Sequence, residues 1–282
     1  MIACNELPFY RLSNILIIKG DLVCRTGIRV GAGSDTFLPA ASDLPVLKDV
    51  DGNPYIPGSS LRGVLRSYVE RIVRAFEDTY GWGRGACDPS DNKSWCITNE
   101  RIKEIRDESK KHEKPHEWYA SQVWQETCRV CRVFGSPWVA SRVRISDLPC
   151  TNKAVIEVRD GIAIDREKET VANKYDFEVV PAGSSFRLEI TAENLNEQER
   201  GLLWLGIKGL ADGMIQIGGF KGRGLGQIAL ENVETQWVSW NAGNTAPLRD
   251  YLLSGKTSSV EDSDAECWLE SLLDAMEEGY NA

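Results

Sequence analysis

Four cysteines have the spacing needed to share one metal ion. Cys128 and Cys131 are separated by two residues, and Cys87 and Cys96 lie upstream with eight residues between them. Four thiolates complete a tetrahedral zinc site, and the Cys-x-x-Cys pair can place both sulfurs on one ion. The sequence therefore predicts structural zinc at Cys87, Cys96, Cys128 and Cys131. A redox Cys-x-x-Cys pair, or chance spacing, is the alternative, because the first pair is more widely spaced.

The remaining cysteines and histidines fit the metal site less well. His112 and His116, the two histidines of the chain, could each replace a cysteine as a ligand, but four cysteines already suffice, so we expect both to be solvated. The other thiols have no paired spacing, and buried structural cysteines are the default for them. They are Cys4, Cys24, Cys150 and Cys267.

A glycine-rich segment from Gly218 to Gly226 could meet a sugar-phosphate chain at close range. It holds five glycines with Lys221 and Arg223 between them. No Gly-Lys-Ser/Thr follows, so it is not a P-loop, and a strand rather than a helix comes next, which excludes a dinucleotide fingerprint. Glycines permit close backbone approach, and the two cations would supply charge. A glycine-rich bulge between two strands is the alternative.

The net charge of -9 argues against a free, nonspecific RNA-binding protein. Eight acids and no Lys or Arg lie between Glu261 and Glu278, so the rest of the chain is close to neutral and a local basic face is compatible with it. The apolar run Ile15–Ile18 is too short for a signal or a membrane span. We therefore expect a cytoplasmic protein with reduced cysteines and no membrane contact.

Hydrophobic periodicity predicts two main helices. One begins at Pro57-Gly58-Ser59-Ser60 and carries apolar residues at helical spacing as far as Phe76. The other covers 196–211, with Asn196 and Glu199 in a capping-box pattern. Strands are expected over 14–30, 138–145, from 214 to 217 and over 227–238, and on either side of a turn at 181–183. A protruding hairpin with a turn at Asp160-Gly161 is expected over 154–174.

This order predicts an α+β protein with a ferredoxin-like core, similar to RNA-recognition motifs. The core would form one domain over residues 1–240. A cysteine-bearing insertion over 81–135 is too polar to build its own core, so a metal would supply the missing folding energy. Residues 241–282 form an acidic tail, whose amphipathic helix would dock on its own body or on a neighbouring subunit.

Several segments together resemble the RAMP superfamily of CRISPR-associated proteins, over about residues 21–233. They are Asp43-Leu44-Pro45-Val46-Leu47-Lys48-Asp49, Tyr55-Ile56-Pro57-Gly58-Ser59-Ser60-Leu61-Arg62-Gly63 and the glycine-rich run Gly219–Gly226. The run Cys128–Pro137 is similar to the zinc-bearing members of type III-D and fused type III-E systems. The resemblance implies a backbone subunit of a type III interference complex, whose partners are CRISPR RNA, target RNA, neighbouring backbone subunits and other subunits of the complex.

The resemblance also implies roles for individual residues. Guide phosphates would be bound by Ser59, Ser60, Arg62, Arg66, Gly219, Lys221, Gly222 and Arg223. The hairpin, taken over 154–175 and including Arg166, would be a thumb that displaces a guide base. Asp43 matches the aspartate that cuts target RNA in catalytic members, with Mg²⁺ or another divalent cation assisting. Without the resemblance, Asp43 would simply cap a turn before Pro45.

Other functions compete with this assignment. A CRISPR RNA-processing endoribonuclease of the same superfamily would generally use a histidine, and both histidines here lie in the polar insertion. A non-catalytic architectural subunit would bind RNA without cutting it. An unrelated ferredoxin-like enzyme acting on a small molecule would not co-purify with RNA.

Overall fold

A computed structural model describes residues 7–32, 42–165, 167 and 169–280. The protein contains both helices and antiparallel strands. In chain order the elements are β1 (Asn14–Cys24), β2 (Tyr55–Ile56), α1 (Gly58–Phe76), α2 (Asn99–Ser109), α3 (Pro115–Glu126), α4 (Arg129–Phe134), β3 (Val143–Ile145), β4 (Leu148–Pro149), β5 (Glu157–Asp165), β6 (Thr170–Val179), β7 (Ser185–Glu193), α5 (Glu197–Ala211), β8 (Ile228–Ser239), α6 (Ala246–Ser254), β9 (Ser258–Ser259) and α7 (Asp262–Tyr280).

The central sheet has the strand order β3-β7-β1-β8-β9. The long strand β1 pairs antiparallel with both β7 and β8, and β3 pairs antiparallel with β7. The four core strands in chain order are β1, β3, β7 and β8. Numbered one to four, they lie in the sheet in the order four, one, three, two, with β9 at the edge beside β8. A split βαβ fold has the same arrangement, because the strand that follows the second one inserts between the first and second.

The helices α1 and α5 pack together on the sheet. Leu61, Leu65, Val69 and Val73 of α1 are fully buried, at the three- and four-residue spacing that the sequence indicates. Gly206 of α5 lies against Leu65, where an added Cβ would be tightly packed. The helix α5 begins as predicted, with both hydrogen bonds of the capping box present.

The C-terminal helix α7 docks on the protein's own body. Ala265, Trp268, Leu272 and Met276 are buried, and α7 packs mainly against α5. The two helices come close together at Gly201 of α5, where an added Cβ would overlap the carbonyl oxygen of Trp268. The acidic residues therefore lie on a helix that is fixed to the core by its apolar face.

The insertion between α1 and β3 has a small apolar core, contrary to the prediction that it is too polar for one. Ile97, Ile102, Ile105, Val123 and Val139 are buried together, and three tryptophans pack around them. The prediction was wrong because these residues are spread over 43 positions, so no single stretch looks hydrophobic. The charged segment from 100 to 114 accordingly contains an ordered helix, α2, packed against α3.

The strands β5 and β6 form a long antiparallel hairpin. The predicted turn at Asp160-Gly161 is wrong, because both residues lie inside β5, opposite Asp176 and Tyr175. Gly161 is needed there for space rather than for turning. An added Cβ would overlap the ring of Tyr175, which explains a glycine within a strand.

Three smaller predictions also need correction. Residues 138–142 are not strand, and β3 begins only at Val143. The segment 214–217 makes a single bridge, between Gln216 and Gln227, instead of a strand. Cys24 is buried as expected, Cys150 is partly exposed, and Cys267 is exposed on α7; Cys4 lies outside the described residues. None of the helices among the described residues is long and apolar enough to cross a membrane.

Candidate nucleic-acid interface and metal centre

A cleft of about 860 Å³ separates the first turns of α1 from the glycine-rich segment. On one side it is lined by Ser59, Ser60, Ser67 and Arg71 of α1. On the other side lie Arg29 and the segment from Gly213 to Gly219, with Lys221. The structure thus brings together four of the predicted RNA-binding residues, Ser59, Ser60, Gly219 and Lys221.

Glycines fix both walls of this cleft. A Cβ on Gly58 would overlap the carbonyl oxygen of Ile145, so α1 can begin against β3 only with glycine at that position. The Gly58 N–H donates to Asp147 Oδ1 at 2.8 Å, which satisfies one amide of the helix start. On the opposite wall, Gly218 has a φ of +83° and no room for a Cβ beside the Arg29 backbone.

The cleft is positive although the chain as a whole is acidic. Arg29, Arg71 and Lys221 line it, and no Asp or Glu is among the described lining residues. Partial burial lowers the pKa of Arg29 below its ordinary value, but an arginine remains charged at any physiological pH. The Arg29 guanidinium also lies over the Phe220 ring, 5.2 Å from its centroid.

Sequence reasoning missed Arg29, Ser67 and Arg71. A signal was present for two of them, because Ser60, Gly63, Ser67 and Arg71 follow one another at helical spacing on the face of α1 that is not apolar. Arg29 gave no such signal, since it is brought to the cleft by the bend after β1.

Arg62 and Arg66 point away from this cleft, toward the cysteine-bearing insertion. Arg62 donates a hydrogen bond to the carbonyl oxygen of Phe134. Arg66 pairs with Glu70 at 2.7 Å and donates to Gly135 O at 2.8 Å. The structure does not bring these two arginines to the glycine-rich segment, and their role in RNA binding stays a prediction.

Phe220 joins the glycine-rich segment to the base of the hairpin. It has a left-handed backbone with a φ of +59°, and a short 3₁₀ turn over Lys221–Arg223 follows it. Its ring meets Phe177 of β6 edge-on, with centroids 4.9 Å apart. Arg223 lies over the Phe220 ring at 4.8 Å and donates to the Tyr175 hydroxyl. Arg223 and Gly222 are exposed beside this junction, and Arg166 lies outside the described residues.

Asp43 is exposed and lies beside β6. Its N–H donates to Asp176 Oδ1 at 2.6 Å, and its own Oδ2 accepts from the Asp176 N–H at 3.1 Å. The hydroxyl of Ser42 donates to the same Asp176 oxygen at 2.8 Å. The donated hydrogen bonds, first that of the Asp43 N–H and then that of Ser42, hold the pKa of Asp176 below its ordinary value. Asp43 therefore presents a carboxylate at a site where two acidic side chains meet.

The four predicted metal ligands cluster in space. The sulfurs of Cys87, Cys96, Cys128 and Cys131 all lie within 4.8 Å of one another. Cys128 occupies the N-cap position of α4 and Cys131 lies one turn further on, so the helix sets the spacing of this pair. Arg74 of α1 holds the backbone at Cys87, because it donates to Ala86 O at 3.0 Å and to Cys87 O at 2.6 Å.

The surroundings of the cluster suit an anionic group. Three of the thiols are buried, and Arg66 Nη2 lies 3.3 Å from Cys131 Sγ. A guanidinium in hydrogen-bonding range offsets the negative charge of thiolates. Neither His112 nor His116 belongs to this cluster among the described residues, and His112 stacks on Trp118 with ring centroids 4.4 Å apart.

Comparisons with known proteins identify the family of the chain. A family model described as the RAMP superfamily matches residues 21–229. The chain is 26% identical over 255 residues to the CRISPR system Cms endoribonuclease Csm3 of Methanothermobacter thermautotrophicus, covering 79% of this chain and 86% of that protein. It is 25% identical over 288 residues to the protein of the same name from Methanocaldococcus jannaschii, covering 96% and 97% respectively.

Proposed function

The chain belongs to the RAMP superfamily, and we propose that it is a CRISPR RNA-binding backbone subunit of a type III interference complex that cleaves guide-paired target RNA. The observation that carries this proposal is the positive cleft between α1 and the glycine-rich segment. Two relatives that match most of the chain are named as endoribonucleases, which supports the cleavage step. The partners would be the guide, the target and the neighbouring subunits.

The cleft suits a sugar-phosphate backbone. Arg29, Arg71 and Lys221 supply charge, and the hydroxyls of Ser59 and Ser60 supply hydrogen bonds. Contacts of this kind position a strand without reading its bases. Glycines on the opposite wall leave the backbone close to the ligand. Sequence specificity would then come from base pairing between guide and target.

The β5–β6 hairpin would serve as the thumb. It extends from the aromatic junction at Tyr175 and Phe177, and Val158 and Ile162 are exposed along it. Apolar side chains inserted between bases can unstack them. A hairpin anchored at its base in this way would displace a base next to Asp43, which itself contacts β6.

Asp43 would be the cleavage residue. A displaced nucleotide can align its own 2'-hydroxyl with the adjacent phosphate. Attack by that oxygen forms a 2',3'-cyclic phosphate and breaks the P–O5' bond; the 2'-hydroxyl loses its proton to water, and the 5'-oxygen gains one from water and leaves as a hydroxyl. The Asp43 carboxylate, an oxygen ligand exposed to solvent, fits a Mg²⁺ ion that keeps most of its waters. A bound divalent cation would supply positive charge at the phosphate.

The cysteine cluster would hold structural zinc. Tetrahedral Zn–S bonds of about 2.3 Å place sulfurs about 3.8 Å apart, and Cys87 Sγ and Cys131 Sγ are 3.5 Å apart. The ion would join α4 to the loop that follows α1, and Arg66 would tie the site to α1 itself. Its role is then to hold the insertion against the core rather than to fold a segment that has no core.

Cleavage by the assembled complex tests the function. Asp43→Ala should abolish the Mg²⁺-dependent cuts in guide-paired target RNA while guide binding is retained. Asp51→Ala is the matched control, because Asp51 is an exposed aspartate of the same loop that contacts the turn through its backbone N–H. Unchanged cutting by Asp43→Ala would leave a guide-binding architectural subunit. Failure of the wild-type chain to retain RNA would refute the proposal as a whole.

A further inference from the structure

Asp43 and Asp176 form a reciprocal pair, although 133 residues separate them in the chain. Asp176 Oδ1 accepts from the Asp43 N–H and from the Ser42 hydroxyl, and the Asp176 N–H donates back to Asp43 Oδ2. Both the backbone and the carboxylate of Asp43 are thus held by one residue of β6. Within the described part of the chain, Asp43 Oδ1 accepts no hydrogen bond.

The same contact continues along β6. The Glu178 N–H donates to Leu44 O at 3.1 Å, and Leu44 bridges Phe177 in parallel. Glu178 Oε2 accepts from the Val46 N–H at 3.0 Å, and Glu178 Oε1 pairs with Lys48 at 2.8 Å. Residues 42–48 therefore run along β6 as a strap whose first contact is Asp176.

We propose that Asp176 is the positioning residue for Asp43 in target-RNA cleavage, an inference that rests on the function proposed above. Its side chain fixes the Asp43 backbone, and its N–H fixes one oxygen of the Asp43 carboxylate. The other oxygen is then aimed outward in a single orientation. The arrangement uses Asp176 as a hydrogen-bond acceptor, so that a neutral side chain with an oxygen in the same place can do the same work.

This role differs from holding a cation. A ligand of the divalent ion binds most strongly as a carboxylate, because an amide oxygen at the same position carries no negative charge and holds the ion more weakly. A positioning residue needs only the acceptor oxygen that receives the Ser42 and Asp43 donors. Asp176→Asn keeps that oxygen, whereas Asp176→Ala removes it. The pair of variants therefore separates the two roles.

The experiment measures single-turnover cleavage at saturating RNA for Asp176→Ala and Asp176→Asn. A small displacement of a reacting group costs about 10- to 100-fold in rate, so we expect Asp176→Ala to slow cleavage by about that factor, with guide affinity and the Mg²⁺ dependence unchanged. Asp176→Asn should recover most of the rate. Glu234→Ala, which removes an exposed carboxylate from β8, is the control.

A wild-type rate for Asp176→Ala would overturn the inference. So would an equal loss in both variants with a raised Mg²⁺ requirement, because that result would make Asp176 a cation ligand. Amide hydrogen exchange at Asp43 gives a second readout that needs no activity: exchange should be faster in Asp176→Ala than in Asp176→Asn. If Asp43→Ala still cuts while this exchange difference is present, the assignment of Asp43 to cleavage fails but its contact with Asp176 stands. If Asp43 exchanges equally fast in both Asp176 variants, the contact itself is refuted.

Discussion

Gly63 offers a direct test of the cleft, because a side chain placed there enters it without disturbing the fold. Gly63 is exposed on α1, lines the cleft, and has no atom within 4 Å of where a Cβ would lie. Gly63→Glu would add a negative charge to the cleft that Arg71 and Lys221 line, and Gly63→Gln would add nearly the same shape without the charge. Gly63→Ala should stabilise α1 by about 0.5–1 kcal/mol, since glycine inside a helix is unfavourable by that amount.

The expected loss of RNA affinity follows from Coulomb's law. A carboxylate roughly 6 Å from one phosphate is repelled by about 0.7 kcal/mol in a water-like medium and by about 2.8 kcal/mol at an effective dielectric constant of 20. These energies correspond to about 3-fold and about 100-fold in the dissociation constant. We therefore expect Gly63→Glu to bind single-stranded RNA between ~3-fold and ~100-fold more weakly than Gly63→Gln.

Fluorescence anisotropy with labelled single-stranded RNA measures this difference on the purified chain. The gap between the two variants should narrow as salt is added, because ions screen exposed charges. Thermal unfolding of all three variants shows whether the helix is intact. Equal affinity of Gly63→Glu and Gly63→Gln at low salt would refute the cleft as the path of the RNA.

Other predictions concern the metal, the C-terminal helix and the thiols. Metal analysis should find one zinc per chain, and Cys96→Ser should lose the zinc and have a lower melting temperature than the wild type. A wild-type chain that unfolds at the same temperature with and without zinc would contradict this. Gly201→Ala should destabilise the protein by about 1–3 kcal/mol in denaturant unfolding, because its Cβ would overlap the Trp268 carbonyl; wild-type stability would show that α7 does not pack as described. Burial raises the pKa of Cys24 to about 12, so at neutral pH Cys24 should resist alkylation while exposed Cys267 reacts. Peptide mass mapping measures both reactions, and rapid alkylation of Cys24 would contradict its burial.

The sequence predicted those features that depend on neighbouring residues. The capping box at Asn196 and Glu199 and the apolar stripe of α1 are local patterns, and both are confirmed. The direction of Arg66 could not be read from sequence, because it depends on an insertion that folds over α1 and presents Cys131 and Gly135 to it.

Long-range pairings were the main part of the site that the sequence did not reveal. Asp43 could be singled out by its motif, but its partner Asp176 lies on a strand far along the chain and has no motif of its own. Arg29 reaches the cleft only because the chain bends after β1 and its backbone then packs against Gly218. Such contacts are decided by tertiary structure, and periodicity carries no information about them.

The anchoring of residues 42–48 along β6 fixes the distance between Asp43 and the outer end of the hairpin. Thr170, at the outer end of β6, and Asp176, at its root, belong to one continuous strand, and about 3.3 Å per residue sets roughly 20 Å between them. Asp43 is fastened at the root, so any polymer resting against the hairpin is held at a constant offset from the Asp43 carboxylate. A residue inserted between Thr170 and Asp176 would lengthen the hairpin and leave Asp43 in place. A residue inserted between Asp176 and Glu178 would change the spacing of the two side chains that hold residues 42–48.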